Sequence, residues 1–109
     1  MTGLISHRDE NAGRQRIDKW LWCARFFRTR AGAAEFVAAH SVRLRRNGSL
    51  IRVDKPAFAL AIGDELSFMT RERLVVVAVI AIAPRRLSSA LAKTLYADRQ
   101  DTPDVQEAV

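Results

Sequence analysis

A chain of 109 residues, 49% of them apolar, can build one small domain and has too much core-forming material for wholesale disorder. The net charge is +6, and Asp98, Asp101, Asp104 and Glu107 against Arg99 place −3 in residues 97–109, so the rest carries +9. A domain this basic attracts polyanions, with nucleic acid and an anionic membrane surface as the two candidates, while the longest apolar run, Leu74 to Ala83, is too short for a membrane-spanning helix.

The cations are 15 Arg and 3 Lys. Arginine grips phosphate with a planar fork and stacks on bases, which leans toward nucleic acid. Cys23 has no second cysteine to pair with, and residues 1–15 contain no apolar signal segment. A reducing, cytoplasmic setting is therefore expected.

In chain order, residues 1–15 read as a flexible tail. Ile17, Trp20, Leu21 and Ala24 recur at spacings of three and four, one stripe of a helix. Asp18 in its first turn suits the positive end of the dipole. Thr29 is the expected N-cap of a second helix, from Arg30 to about Ala39, with Ala33, Phe36, Val37 and His40 on its buried side and Gly32 weakening it slightly. The period then changes. Val42 and Leu44 alternate with Arg43 and Arg45, Asn47-Gly48 makes a turn, and Leu50 to Val53 returns.

Lys55-Pro56 breaks the pattern, Ala57 to Ala61 is a connector or weak strand, and Gly63-Asp64 is a further turn. Glu65 to Thr70 and Leu74 to Ile82 read as two strands, the second central and buried on both faces. Leu87 to Tyr96 reads as a short closing helix, begun near Ser88 or Ser89 and striped by Leu87, Leu91 and Leu95. The expected organisation is a tail (1–15), an α+β domain (16–96) of two N-terminal helices on a small, mostly antiparallel sheet with a short C-terminal helix, and an acidic flexible tail (97–109).

The run from Arg16 to Arg30 holds five cations against one acid, interleaved with Trp20, Trp22, Phe26 and Phe27. Arg28 and Arg30 flank the start of the second helix, where cations oppose the dipole at a cost of a few tenths to about 1 kcal/mol each. Free amides between two guanidinium groups make an anion site, to which Thr29 either caps or donates. Arg16 and Lys19 share a face of the first helix, and Arg25 is displaced from it. Trp20 belongs to the core stripe. Trp22 is either a stacking surface for bases or a packing contact.

Arg43, Arg45, Arg46 and Arg52 surround the Asn47-Gly48 turn, and Lys55 extends that patch. A basic hairpin clamps a backbone, or else edge-strand cations block aggregation. Arg71, Arg73, Arg85 and Arg86 flank turns, where solvated charge is the ordinary state. Catalytic and metal chemistry find little support. His7 and His40 are the only histidines, Cys23 reads as a small packed residue, and there is no phosphate-cradling glycine loop or zinc-ligand spacing. Neither an enzyme nor a cofactor is expected.

The segments Arg16-Ile-Asp-Lys-Trp-Leu-Trp and Arg25-Phe-Phe-Arg-Thr-Arg30 resemble the opening signature of the S4-type RNA-binding domain, also called the alpha-L motif, and within it the small ribosome-associated heat-shock family. The similarity continues through Val42, Asn47-Gly48, Lys55-Pro56 and Gly63-Asp64, with a weaker echo at Arg85-Arg86 and Leu95-Tyr96. It implies two helices on a small antiparallel sheet and binding of structured RNA, in those relatives the large ribosomal subunit blocked by a nascent chain. It points to Arg16, Lys19, Arg25, Arg28, Thr29 and Arg30 as RNA contacts.

The family often has Gly-Lys where this chain has His40-Ser41, and its heat-shock members carry a basic C-terminal extension where this chain has a net-negative end. The expected partner is RNA, ribosomal RNA or the large subunit, with DNA as the open alternative and no membrane. The competing expectation is a basic adaptor that binds an acidic protein or an RNA-modifying enzyme.

Overall fold

The computed structural model describes residues 13–71 and 73–99. Its elements run β1 (Arg14–Arg16), α1 (Ile17–Cys23), α2 (Arg30–His40), β2 (Val42–Arg46), β3 (Ser49–Val53), β4 (Ala59–Ala61), β5 (Glu65–Met69), β6 (Leu74–Val79), α3 (Ser89–Ala92), a 3-10 turn (Lys93–Leu95) and β7 (Tyr96–Asp98). Five strands form one antiparallel sheet in the order β3-β2-β5-β6-β7, and β1 pairs separately with β4. This is the α+β arrangement that the order of periodicities predicts.

The core follows the two periods. Ile17, Trp20, Leu21 and Ala24 are buried from α1, and Ala33 and Val37 from α2. They meet the alternating inward residues of the sheet, among them Leu44, Leu66, Phe68, Val77 and Val79. Trp20 is fully buried, and its indole N–H donates to the Ala81 carbonyl at 2.9 Å, so burial leaves no orphan donor. Phe26 joins helix to sheet, with ring centroids 4.8 Å from Tyr96 and 5.8 Å from Phe68. His40 departs from its expected burial. As the last residue of α2 it is exposed, its ring 4.9 Å from that of Phe36.

The β2–β3 hairpin closes on Asn47 and Gly48, whose φ values of 52° and 81° are the pair of left-handed conformations a tight two-residue turn requires. Arg46 then sits opposite Ser49, so the return strand starts one residue before the expected Leu50.

Further expectations are corrected. Arg14 and Gln15, expected in the N-terminal tail, form β1 together with Arg16, where Gln15 pairs with Leu60 and its side chain donates to the Ala83 carbonyl at 2.7 Å; residues 1–12 lie outside the described residues. β6 is central as expected but stops at Val79, because the amides of Ile80 and Ala81 both turn to the Leu95 carbonyl; its outward face is only partly covered, with Leu74 45% exposed. The closing helix is one turn capped by Ser88, followed by a 3-10 turn and β7. Its expected apolar stripe fails at Leu91, which is exposed, while Ala92 is buried in its place. Ala97 and Asp98, expected in the acidic tail, complete the sheet against Ala78 and Val77; residues 100–109 lie outside the described residues.

Candidate nucleic-acid interface

α1 has no side-chain cap. Its first amides instead donate to the incoming loop, Ile17 N–H to the Phe58 carbonyl at 2.8 Å and Asp18 N–H to the Pro56 carbonyl at 3.3 Å. This brings the backbone of the Lys55-Pro56 segment to the start of α1, while Lys55 and Arg52 of the hairpin line one shallow depression. At the same point the Asp18 carboxylate, only 4% exposed, takes a two-pronged contact from Arg16, Nε to Oδ1 at 3.1 Å and Nη2 to Oδ2 at 3.0 Å. That hydrogen bonding pushes the Arg16 guanidinium pKa up and keeps it firmly cationic.

Arg30, from the first turn of α2, approaches the same carboxylate at 3.8 Å. Arg16 and Arg30 remain 51% and 43% exposed, so Asp18 fixes two cations on different elements while leaving donors of both facing solvent. Asp18 thus does more than complement the dipole at the start of α1: it holds Arg16 and Arg30 as well.

Thr29 is the N-cap of α2: its Oγ1 accepts from the Gly32 amide at 2.9 Å. A Cβ on Gly32 would lie 2.9 Å from that oxygen, so glycine makes room for the cap rather than simply weakening the helix. Capping and phosphate donation are compatible, since the oxygen accepts from Gly32 and the hydroxyl proton stays available. Arg28 is exposed and, among the described residues, makes no hydrogen bond or ion pair. Arg28, Thr29, Arg30 and Arg16 thus form one cationic edge at the start of both helices, with Lys19 half-buried on α1 and Lys55 exposed.

Arg25 is placed by the backbone. It occupies φ 67° just beyond α1, its amide bonding to the Trp22 carbonyl at 3.0 Å while the Phe26 amide reaches Leu21 at 2.9 Å. This is the Schellman termination, which normally takes glycine at that position. Its guanidinium donates to the Leu87 carbonyl at 3.0 Å. Arg86, expected as a solvated turn charge, donates to the carbonyls of Trp22 and Phe27 at 3.2 and 3.1 Å and braces the same turn. Trp22 packs on the core with part of its surface open.

The hairpin arginines divide. Arg46 is withdrawn from the candidate surface. It shares the inward parity of Leu44 and forms a bidentate pair with buried Asp64 at 2.8 and 2.7 Å, donates to the Ala59 carbonyl at 3.1 Å, and lies 5.4 Å over the Phe58 ring. Asp64 also accepts from the Ala61 amide at 2.8 Å, a local bond that closes the turn at Gly63-Asp64. Arg43 and Arg45 point to the sheet face away from the helices, and Arg45 pairs with Glu65 at 3.7 Å. Among the described residues no group of His, Cys, Asp and Glu is arranged to hold a metal ion, and no helix is long and apolar enough to cross a membrane.

No protein-family model matches the chain. It is 30% identical over 92 residues to heat shock protein 15 of Escherichia coli K12 and 30% identical over 91 residues to the heat shock protein 15 homolog of Aeromonas salmonicida, each match covering 84% of this chain. The match spans 65% of the length of both relatives. The Haemophilus influenzae homolog is 27% identical over 94 residues. Among solved structures, the trimeric structure of heat shock protein 15 from Vibrio cholerae superposes with a TM-score of 0.67 at 26% identity, covering 85% of this chain and 97% of that one.

Proposed function

The chain is homologous to heat shock protein 15 over most of its length, and from that premise we propose that it is a non-enzymatic, cytoplasmic RNA-binding protein that acts on ribosomal RNA, in rescue or recycling of large ribosomal subunits under stress. The observation that carries this reading is the cationic edge at the two helix starts. There a buried Asp18 fixes Arg16 and Arg30 beside the capped N-terminus of α2. Fixed guanidinium forks lose less freedom on meeting a phosphate, and the helix start adds oriented amides. Arg28 contributes a cation where helix stability alone favours an acid.

RNA crosslinking in cells, followed by sequencing, tests the substrate. Enrichment of one ribosomal RNA region is expected, and reads scattered over the transcriptome contradict a ribosomal role. Partners recovered from cells are expected to be lost on nuclease treatment. A protein partner that survives nuclease supports a basic adaptor instead.

A further inference from the structure

We propose that the sheet face turned away from the helices carries a second phosphate site, in which Arg43 and Arg52 together hold one backbone phosphate of an RNA strand. This rests on the RNA-binding reading above and adds a site at the other end of α2.

Arg43 lies directly opposite Arg52 across β2 and β3, with Ser67 of β5 next in the same row. Two like charges face to face in a sheet destabilise it. One row away the same face does the opposite and sets Arg45 against Glu65 at 3.7 Å. Protection of a sheet edge accounts for a cation on β3, which is an edge strand, but not for Arg43, because β2 is interior. An anion held between the two guanidinium groups turns the repulsion into a chelate.

The surroundings fit a ligand. Arg43, Arg52, His40, Ser41 and Ser67 line an open cavity of about 620 Å³, with no carboxylate among the lining residues. Arg52 is oriented from below, its Nε donating to the Ser41 hydroxyl oxygen at 3.0 Å while that hydroxyl donates to the His40 carbonyl at 2.6 Å. Ser41 itself holds φ 60° and ψ 162°, a conformation found almost only at glycine. The serine is therefore kept against backbone preference at the point where its hydroxyl steers Arg52. Leu50 and Met69, each about 60% exposed, line the same cavity and give a ribose or base an apolar rest. Helix α2, whose start carries Arg30 and whose end leads into Ser41, has 11 residues and spans about 17 Å, which sets the scale of the separation between the two sites.

The test uses the full chain and the variant Arg43→Gln/Arg52→Gln, with RNA affinity measured across a salt series. Affinity is expected to fall roughly tenfold at moderate salt, and the slope of log K against log salt to shrink by about 0.7–0.9, the value of one phosphate contact. The melting temperature is expected to hold or rise as the repulsion is removed. Should the double variant fold poorly, Arg43→Gln alone carries the test, since among the described residues its side chain makes no hydrogen bond or ion pair.

If wild type binds RNA and the variant matches it in affinity and slope, the second site is overturned while the functional reading stands. If wild type binds no RNA, both fall. If the variant keeps RNA binding but loses binding of a polyglutamate peptide seen in wild type, the cavity serves a protein ligand and the proposal is overturned.

Discussion

Asp18, in the first turn of α1, lies 3.8 Å from Arg30, in the first turn of α2, and so ties the two helix starts through one buried carboxylate that also holds Arg16. Asp18→Asn is expected to cost about 1 kcal/mol through the lost charge at the helix start alone. It is also expected to release both guanidinium groups, seen as averaging of the Arg16 and Arg30 Nε–H signals by NMR. Denaturant unfolding measures the first effect. Sharp, unshifted Nε–H signals in the variant contradict the tether.

Arg25 separates backbone cost from charge. Arg25→Gly and Arg25→Ala both remove the cation and its bond to Leu87, but only glycine relaxes at φ 67°. The glycine variant should be more stable than the alanine variant by about 1 kcal/mol. Both should bind RNA more weakly than wild type to the same extent.

Arg46→Met keeps an apolar stem over Phe58 and strands the carboxylate of Asp64, which is 2% exposed. Loss of one partner from a fully buried pair costs about 3–5 kcal/mol; with Arg46 still 27% exposed, about 2–3 kcal/mol is expected. RNA affinity of the folded fraction should stay within about twofold of wild type, because this arginine faces the protein.

Burial pushes the Cys23 thiol above its ordinary value of 9.0, and Lys19, Arg30 and Arg86 only partly offset it. The unfolded chain therefore ionises first, and the thiol's contribution is intact below about pH 9 and lost as pH rises through the folded value. Wild type should lose stability more steeply than Cys23→Ala in that alkaline range. Equal slopes in denaturant titrations at several pH values contradict this.

What the sequence revealed was local. The spacing of Ile17, Trp20, Leu21 and Ala24, the cap at Thr29, the Asn47-Gly48 turn and the alternation from Val42 to Arg45 each depend on neighbours a few residues away, and each appears as expected. What it hid was non-local. Arg14–Arg16 has no apolar alternation, and its partner strand begins more than forty residues later. β7 is three residues long and takes its register from β6. In the candidate site, one-residue parity sends Arg45 outward and Arg46 to Asp64, and no local pattern announces the pairings of Asp18 with Arg30 or Arg86 with Trp22.

The most direct test of the central claim is the RNA affinity of Arg28→Glu/Arg30→Glu against wild type at matched salt, with folding checked by circular dichroism. The helix-start edge predicts a loss of at least about tenfold in a variant that stays folded, together with a shallower salt dependence. A folded double variant that binds RNA as tightly as wild type contradicts it.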